Sequence, residues 1–243
     1  MQTLPAYITI IFLLIVALCF FLFINAAKNK LTVAIGCLIW LIVTGLLAGN
    51  GVFLRTNFPP AIMLAMLPAV VLIILSLVTK NGKRFTGNLD LGKLTLLHMI
   101  RIPVEIVLFL LAANKTIPEL MTFSGRNFDI ISGITAPIIY LLCFRGNQLR
   151  NPRLLLAWNF ICLGLLLNIV MNAILSAPFP FQKFAFAQPN IAILYFPFSW
   201  LPLFIVVVVL FSHLVALSRL LKSHEVLMLS EIKEPKTKLL RTK

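Results

Sequence analysis

A chain of 243 residues with 60% hydrophobic residues and a mean hydropathy of +1.03 lies far above the roughly 45–50% apolar usage of soluble domains, which excludes a water-soluble fold. The formal charge of +14 does not indicate a nucleic-acid binder, because the basic residues sit in short segments between long apolar runs and not on one basic domain. Cys19, Cys37, Cys143 and Cys162 fall within apolar runs without Cys-x-x-Cys spacing, so four free, buried thiols with no redox or metal role are expected.

Seven apolar runs are candidates to cross ~30 Å of hydrocarbon: residues 6–27, 31–54, 60–79, 94–113, 128–144, 154–175 and 191–217. In lipid every backbone N–H and C=O must be satisfied within its own helix or in a closed barrel. Alternating strand patterns are absent, so the expected fold is all-α, a polytopic transmembrane helical bundle of seven spans. The first run lacks the basic segment and small-residue cleavage site of a signal peptide and is expected to remain in the mature protein. Gly45-Leu-Leu-Ala-Gly49 in the second run is a small-residue packing motif and is assigned no chemistry.

Orientation follows from the connections, since Lys and Arg are retained on the cytoplasmic side. Alternate connections place 16 of the 21 basic residues on one side, leaving Arg55, Lys115, Arg126 and Lys183 on the other and Arg101 within a span. The N-terminus is therefore expected outside and the C-terminus in the cytoplasm, in the plasma (cytoplasmic) membrane. Residues 1–218 form the transmembrane domain. Residues 219–243 form a basic tail, expected to continue the last helix briefly and to adhere to the anionic leaflet at ~1 kcal/mol per cation.

The fourth run carries three ionisable residues where apolar ones are expected. At ~100° per residue, Arg101 lies about 60° from His98 and Glu105 about 20° from it, so with Thr95 they form one polar stripe. Such residues cost ~2.5–3.5 kcal/mol each at mid-bilayer on insertion scales and line bundle interiors, cavities or proton paths. Pro103 lies within the stripe and frees the Met99 carbonyl. The competing structural expectation is that Arg101 and Glu105 neutralise each other while His98 bonds a neighbouring helix.

Beyond the stripe, Asp129 can cap the fifth helix, and Arg126 with Asn127 offers donors at the outer headgroup level. Asn168 and Asn172, four residues apart on one face of the sixth run with Ser176 a turn beyond, suit interhelical hydrogen bonding or a polar pathway. Pro197 and Pro202 are expected to kink the seventh run, and the Phe- and Pro-rich segment 177–190 to lie over its outer end.

No retinal-binding lysine stands in the seventh run, no serine-protease motif is present, and only His98 and His213 are histidines within spans. No metal or cofactor is expected. Three functions fit: small-solute or proton-coupled transport along His98, Arg101 and Glu105; an intramembrane enzyme on a lipid or isoprenoid, with Glu105 and His98 as acid and base; and a non-catalytic subunit or sensor. The ~10 Å extent of the stripe favours transport.

Overall fold

The computed structural model describes residues 4–146 and 148–238, with side chains described through Lys222. Its helices are α1 (Ala6–Ala26), α2 (Lys30–Gly49), α3 (Ala61–Val78), α4 (Lys80–Gly87), α5 (Leu91–Leu97), α6 (Arg101–Ala113), α7 (Ile130–Cys143), α8 (Pro152–Ser176) and α9 (Val206–Lys238). The fold is all-helical apart from one small hairpin, β1 (Phe144–Arg145) paired antiparallel with β2 (Gln148–Leu149).

Among the described residues, six stretches are long and apolar enough to cross a membrane: α1, α2, α3, Leu91–Ala113, α8 and Leu201–Lys222. These are the helices of an integral membrane protein. The fifth expected span is represented by α7, an apolar helix of only 14 residues. At ~1.5 Å per residue it covers about 21 Å, short of the ~30 Å of a hydrocarbon core.

The helix ends follow from local chemistry. Asn29 accepts from the Thr32 amide to open α2, Thr79 from Gly82 to open α4, and Asp90 from Lys93 to open α5. Pro5 and Pro60 stand just before α1 and α3, and Pro152 begins α8, positions where a missing N–H costs nothing. The second expected span ends early, at Gly49, and its last residues form a 3₁₀ turn, Val52–Leu54, after the left-handed Gly51.

The seventh span also differs from expectation. Residues 191–200 are irregular, with one 3₁₀ turn at Ala192–Leu194, and regular helix starts with a wide π turn at Leu201–Ile205. Pro202 lies in the first turn of this span instead of kinking its interior, because a helix start has no donor to lose there. Trp40 of α2 donates to the Leu203 carbonyl at 2.7 Å, and Trp200 donates back to the Leu41 carbonyl at 3.2 Å.

Two ends of the bundle can be distinguished. At the basic end, the Asp90 amide bonds the Ala26 carbonyl, Lys93 bonds the Asn25 carbonyl, and Arg219 of α9 bonds the Leu89 carbonyl at 2.6 Å. At the opposite end, segment 177–190 folds back over the helices: the Lys183 amide bonds Leu175, and Asn190 bonds Ser176. The Ile191 amide reaches Thr116. The main core is built on α1, whose Ile8, Phe12, Ile15 and Cys19 are buried and which packs chiefly against α5, α6 and α2. All four cysteines are free; Cys37 is half-buried rather than buried. Helix α9 continues to Lys238, whereas residues 239–243, and the side chains beyond Lys222 that carry most of the basic tail, lie outside the described residues.

Candidate functional site

The polar stripe lies inside the bundle. His98, Arg101 and Glu105 are 1%, 2% and 2% exposed, so none of them meets lipid or solvent directly. The stretch Leu91–Ala113 is interrupted by a 3₁₀ turn at His98–Ile100, and α6 begins at Arg101 with Pro103 in its first turn. The missing amide of Pro103 leaves no α-helical partner for the Met99 carbonyl, which accounts for the tightened turn. Arg101 stands near the middle of this 23-residue stretch.

Arg101 does not pair with Glu105. Its Nη1 donates to Asp129 Oδ1 at 2.7 Å, and its Nη2 donates to His213 Nε2 at 2.8 Å. Arginine is donor only, so His213 Nε2 accepts, and its Nδ1–H therefore donates to Asn159 Oδ1 at 2.8 Å. This fixes one neutral tautomer of His213. His98 stacks on His213 with ring centroids 4.0 Å apart and 20° between planes, and meets the edge of Trp158. The hydrogen bond to a neighbouring helix expected of His98 is replaced by this stack, and its Nδ1 has no partner.

Glu105 is held by Asn127, whose side-chain amide donates to Glu105 Oε1 and to the Met121 carbonyl, and whose Oδ1 accepts from the Asp129 amide. Asn127 is therefore buried at the level of Glu105 and not at the headgroups. Asp129 makes no side-chain cap on α7. Its carboxylate is taken by Arg101, since a buried guanidinium attracts it more strongly than a peptide N–H does.

Close approach of α7 to α6 makes this possible. A Cβ on Gly133 would stand 2.8 Å from Ile102 Cγ1 and 3.3 Å from Arg101 Cβ, so only glycine lets the two backbones meet at this level. Gly133 is one turn beyond Asp129, which sets that carboxylate against Arg101. Helix α7 thus begins halfway along the bundle. In the irregular segment ahead of it, Thr122, Asn127 and Asp129 are buried among the helices while Phe123, Ser124, Arg126 and Phe128 are exposed, and the inward side chains bond the non-helical backbone.

A cavity of about 180 Å³ lies beside this network between α3, α6, α8 and α9. Arg101, Glu105, Asp129 and Asn190 are on its wall, and the rest is apolar, including Met66, Leu108, Leu166 and Ile205. Three buried polar atoms that have no hydrogen-bond partner among the described residues belong to this wall: Arg101 Nε, Glu105 Oε2 and Asn190 Oδ1. Val70 and Leu167, also on the wall, are 37% and 50% exposed on the outer surface of the bundle, so the cavity borders the lipid-facing side.

The site residues expected from sequence thus divide. His98, Arg101, Glu105 and Asp129 come together. Arg126 stays exposed, with its guanidinium 5.4 Å from the Phe184 ring centroid. Asn168 donates to the Arg126 carbonyl, and Asn172 bonds back to Asn168; neither belongs to the cavity wall. His213, Asn159, Trp158 and Asn190 join the site without having been singled out for it. Their only sequence signal is a polar or aromatic side chain within or beside an apolar run.

The chain belongs to the DUF8737 family, a domain of unknown function. The DUF8737 match covers residues 58–221, and so includes every residue of the site from His98 to His213, while α1 and α2 fall before it. No curated protein and no solved structure matches the chain.

Proposed function

We propose that this is a seven-span membrane protein whose buried site binds the polar end of a membrane-soluble molecule of lipid or isoprenoid type, with Glu105 as the group that exchanges a proton with it. The observation that carries the reading is the apolar cavity bordering the lipid-facing surface, with unpartnered Arg101 Nε, Glu105 Oε2 and Asn190 Oδ1 on its wall residues. Apolar pockets with a few convergent polar groups are the usual form of a small-molecule site. Arg101 is already neutralised by Asp129 and bound by His213, which disfavours a strongly anionic headgroup and favours a hydroxyl or carbonyl that both donates and accepts.

The seventh crossing in this reading is α7 together with the irregular segment before it, which supplies the length that 14 helical residues lack. The N-terminus lies outside and the C-terminus in the cytoplasm, supported by the concentration of Lys and Arg at one end of the bundle. The basic tail meets the anionic leaflet.

A second reading, proton-coupled transport, draws on the hydrogen-bonded chain Asn159–His213–Arg101–Asp129, in which His213 and Asp129 are the groups able to take a proton, and on the His98–His213 stack. Two experiments separate them. Binding predicts that a long-chain isoprenol raises the Tm of the purified protein, that its hydrocarbon analogue does not, and that Glu105→Gln reduces the shift. Equal effects of both probes, or none, would overturn it. Transport instead requires that a cysteine at position 105, with the four native cysteines removed, reacts with a membrane-impermeant thiol reagent.

A further inference from the structure

A second apolar space, which shares Ile73 and Val207 with the wall of the buried cavity, runs between α2 and α3 and has a volume of about 780 Å³. Its sides are Thr32, Gly36 and Val43 of α2 facing Ala69, Leu72 and Ser76 of α3, and its floor is Phe204 of the π turn with Val207, Val208 and Phe211 of α9. Along α2 it extends from Thr32 to Val43, about 16 Å at ~1.5 Å per residue. That is half of a ~30 Å hydrocarbon core, the depth of one leaflet.

At the basic end the groove is bordered by α4 and the residue that caps it. Thr79, Gly82 and Phe85 recur every three residues and line it, while Lys80, Lys83 and Arg84 are exposed beside them. Phe85 is stacked on Phe211 of the groove floor, with centroids 6.4 Å apart. A Cβ on Gly82 would come within 2.5 Å of Ser76 Cα, so glycine lets α4 lie directly across the end of α3. Three exposed cations thereby stand on the helix that borders the basic end of the apolar trough.

We infer that this groove holds one acyl chain of an anionic phospholipid, with the phosphate on Lys80, Lys83 and Arg84. Charge and length select this occupant together. A hydrocarbon or a neutral amphiphile would leave the cations unused, and a polypeptide helix, about 10–12 Å across, would need a trough running the full bundle length.

The test uses the full chain purified in mild detergent, with bound lipid counted by native mass spectrometry after addition of phosphatidylglycerol or of phosphatidylcholine with the same acyl chains. One phosphatidylglycerol is expected to be retained in preference to phosphatidylcholine. The Lys80→Gln, Lys83→Gln, Arg84→Gln triple variant should lose retention roughly tenfold or more, given about one surface-lipid interaction per cation. Gly36→Leu, at a trough-lining position where a Cβ meets nothing within 4 Å, puts a side chain into the trough and should displace the lipid while the circular dichroism and elution volume stay unchanged. Equal retention of the two lipids would remove the headgroup role. Retention unaffected by Gly36→Leu would remove the acyl chain from the groove. A lipid-free dimer broken by Gly36→Leu would assign the groove to a second copy of the chain and overturn the inference.

Discussion

Asp129 Oδ1 accepts a 2.7 Å hydrogen bond from Arg101 Nη1 across 28 positions of sequence, with both side chains buried. This pair ties the start of α7 to the middle of the bundle. Removing one partner strands the other charge in a low-dielectric interior, which costs ~3–5 kcal/mol, whereas replacing both with apolar residues of similar size is often neutral. Asp129→Ala should therefore lower stability by about that amount. The double variant Arg101→Met, Asp129→Leu should recover a large part of it, measured by unfolding in mixed micelles. Equal losses in single and double variants would mean that α7 is held by something else.

Packing at Gly133 gives a second prediction. A side chain there must push Ile102 and Arg101 away, and overpacking of this kind costs ~1–3 kcal/mol. Gly133→Val should lower the Tm and also weaken the Arg101–Asp129 pair, so its effect should be smaller in the Asp129→Ala background. Gly164→Ala in α8, where a Cβ meets nothing within 4 Å, is the control and should be neutral or slightly stabilising.

The all-helical fold was legible in the sequence because each long apolar run signals itself locally. The polar stripe was legible too, since 3.6-residue periodicity alone puts His98, Arg101 and Glu105 on one face. Its partners were not. Arg101 and Glu105 stand four apart, and helix spacing pairs them, yet Arg101 is taken by Asp129 and His213, and Glu105 by Asn127. Asp129 and Asn127 arrive through segment 122–129, an irregular path that no periodicity records, and His213 arrives on α9. The same irregular path explains why α7 is shorter than a span, and the prolines that suggested a kink at Pro202 mark a helix start instead.

Asn127 and Asn172 are both buried asparagines, but the structure ranks them very differently. Asn127 makes three hydrogen bonds, one across to Glu105 of α6 and two within its own irregular segment, to Met121 and Asp129. Asn172 bonds only within its own helix, to Asn168. Asn127→Ala leaves several buried groups unpaired, each worth ~1–3 kcal/mol, and should destabilise strongly. Asn172→Ala should cost about 1 kcal/mol or less. Comparable losses in thermal unfolding would contradict the placement of Asn127 as the strut of Glu105.

The two histidines make the last distinction, between a group that holds the site and one that stands ready beside it. His213 is bonded on both nitrogens, to Arg101 and Asn159, so His213→Phe strands two buried groups and should cost roughly 2–4 kcal/mol. His98 touches His213 and Trp158 through its ring, and its Nδ1 has no partner. His98→Phe keeps an aromatic stack and removes an unpaired polar atom, so the protein should remain as stable or gain slightly. If the stability of His98→Phe is unchanged but the isoprenol-induced Tm shift is lost, His98 acts on the ligand. If stability falls as far as in His213→Phe, the stack is structural and the unpaired nitrogen is incidental.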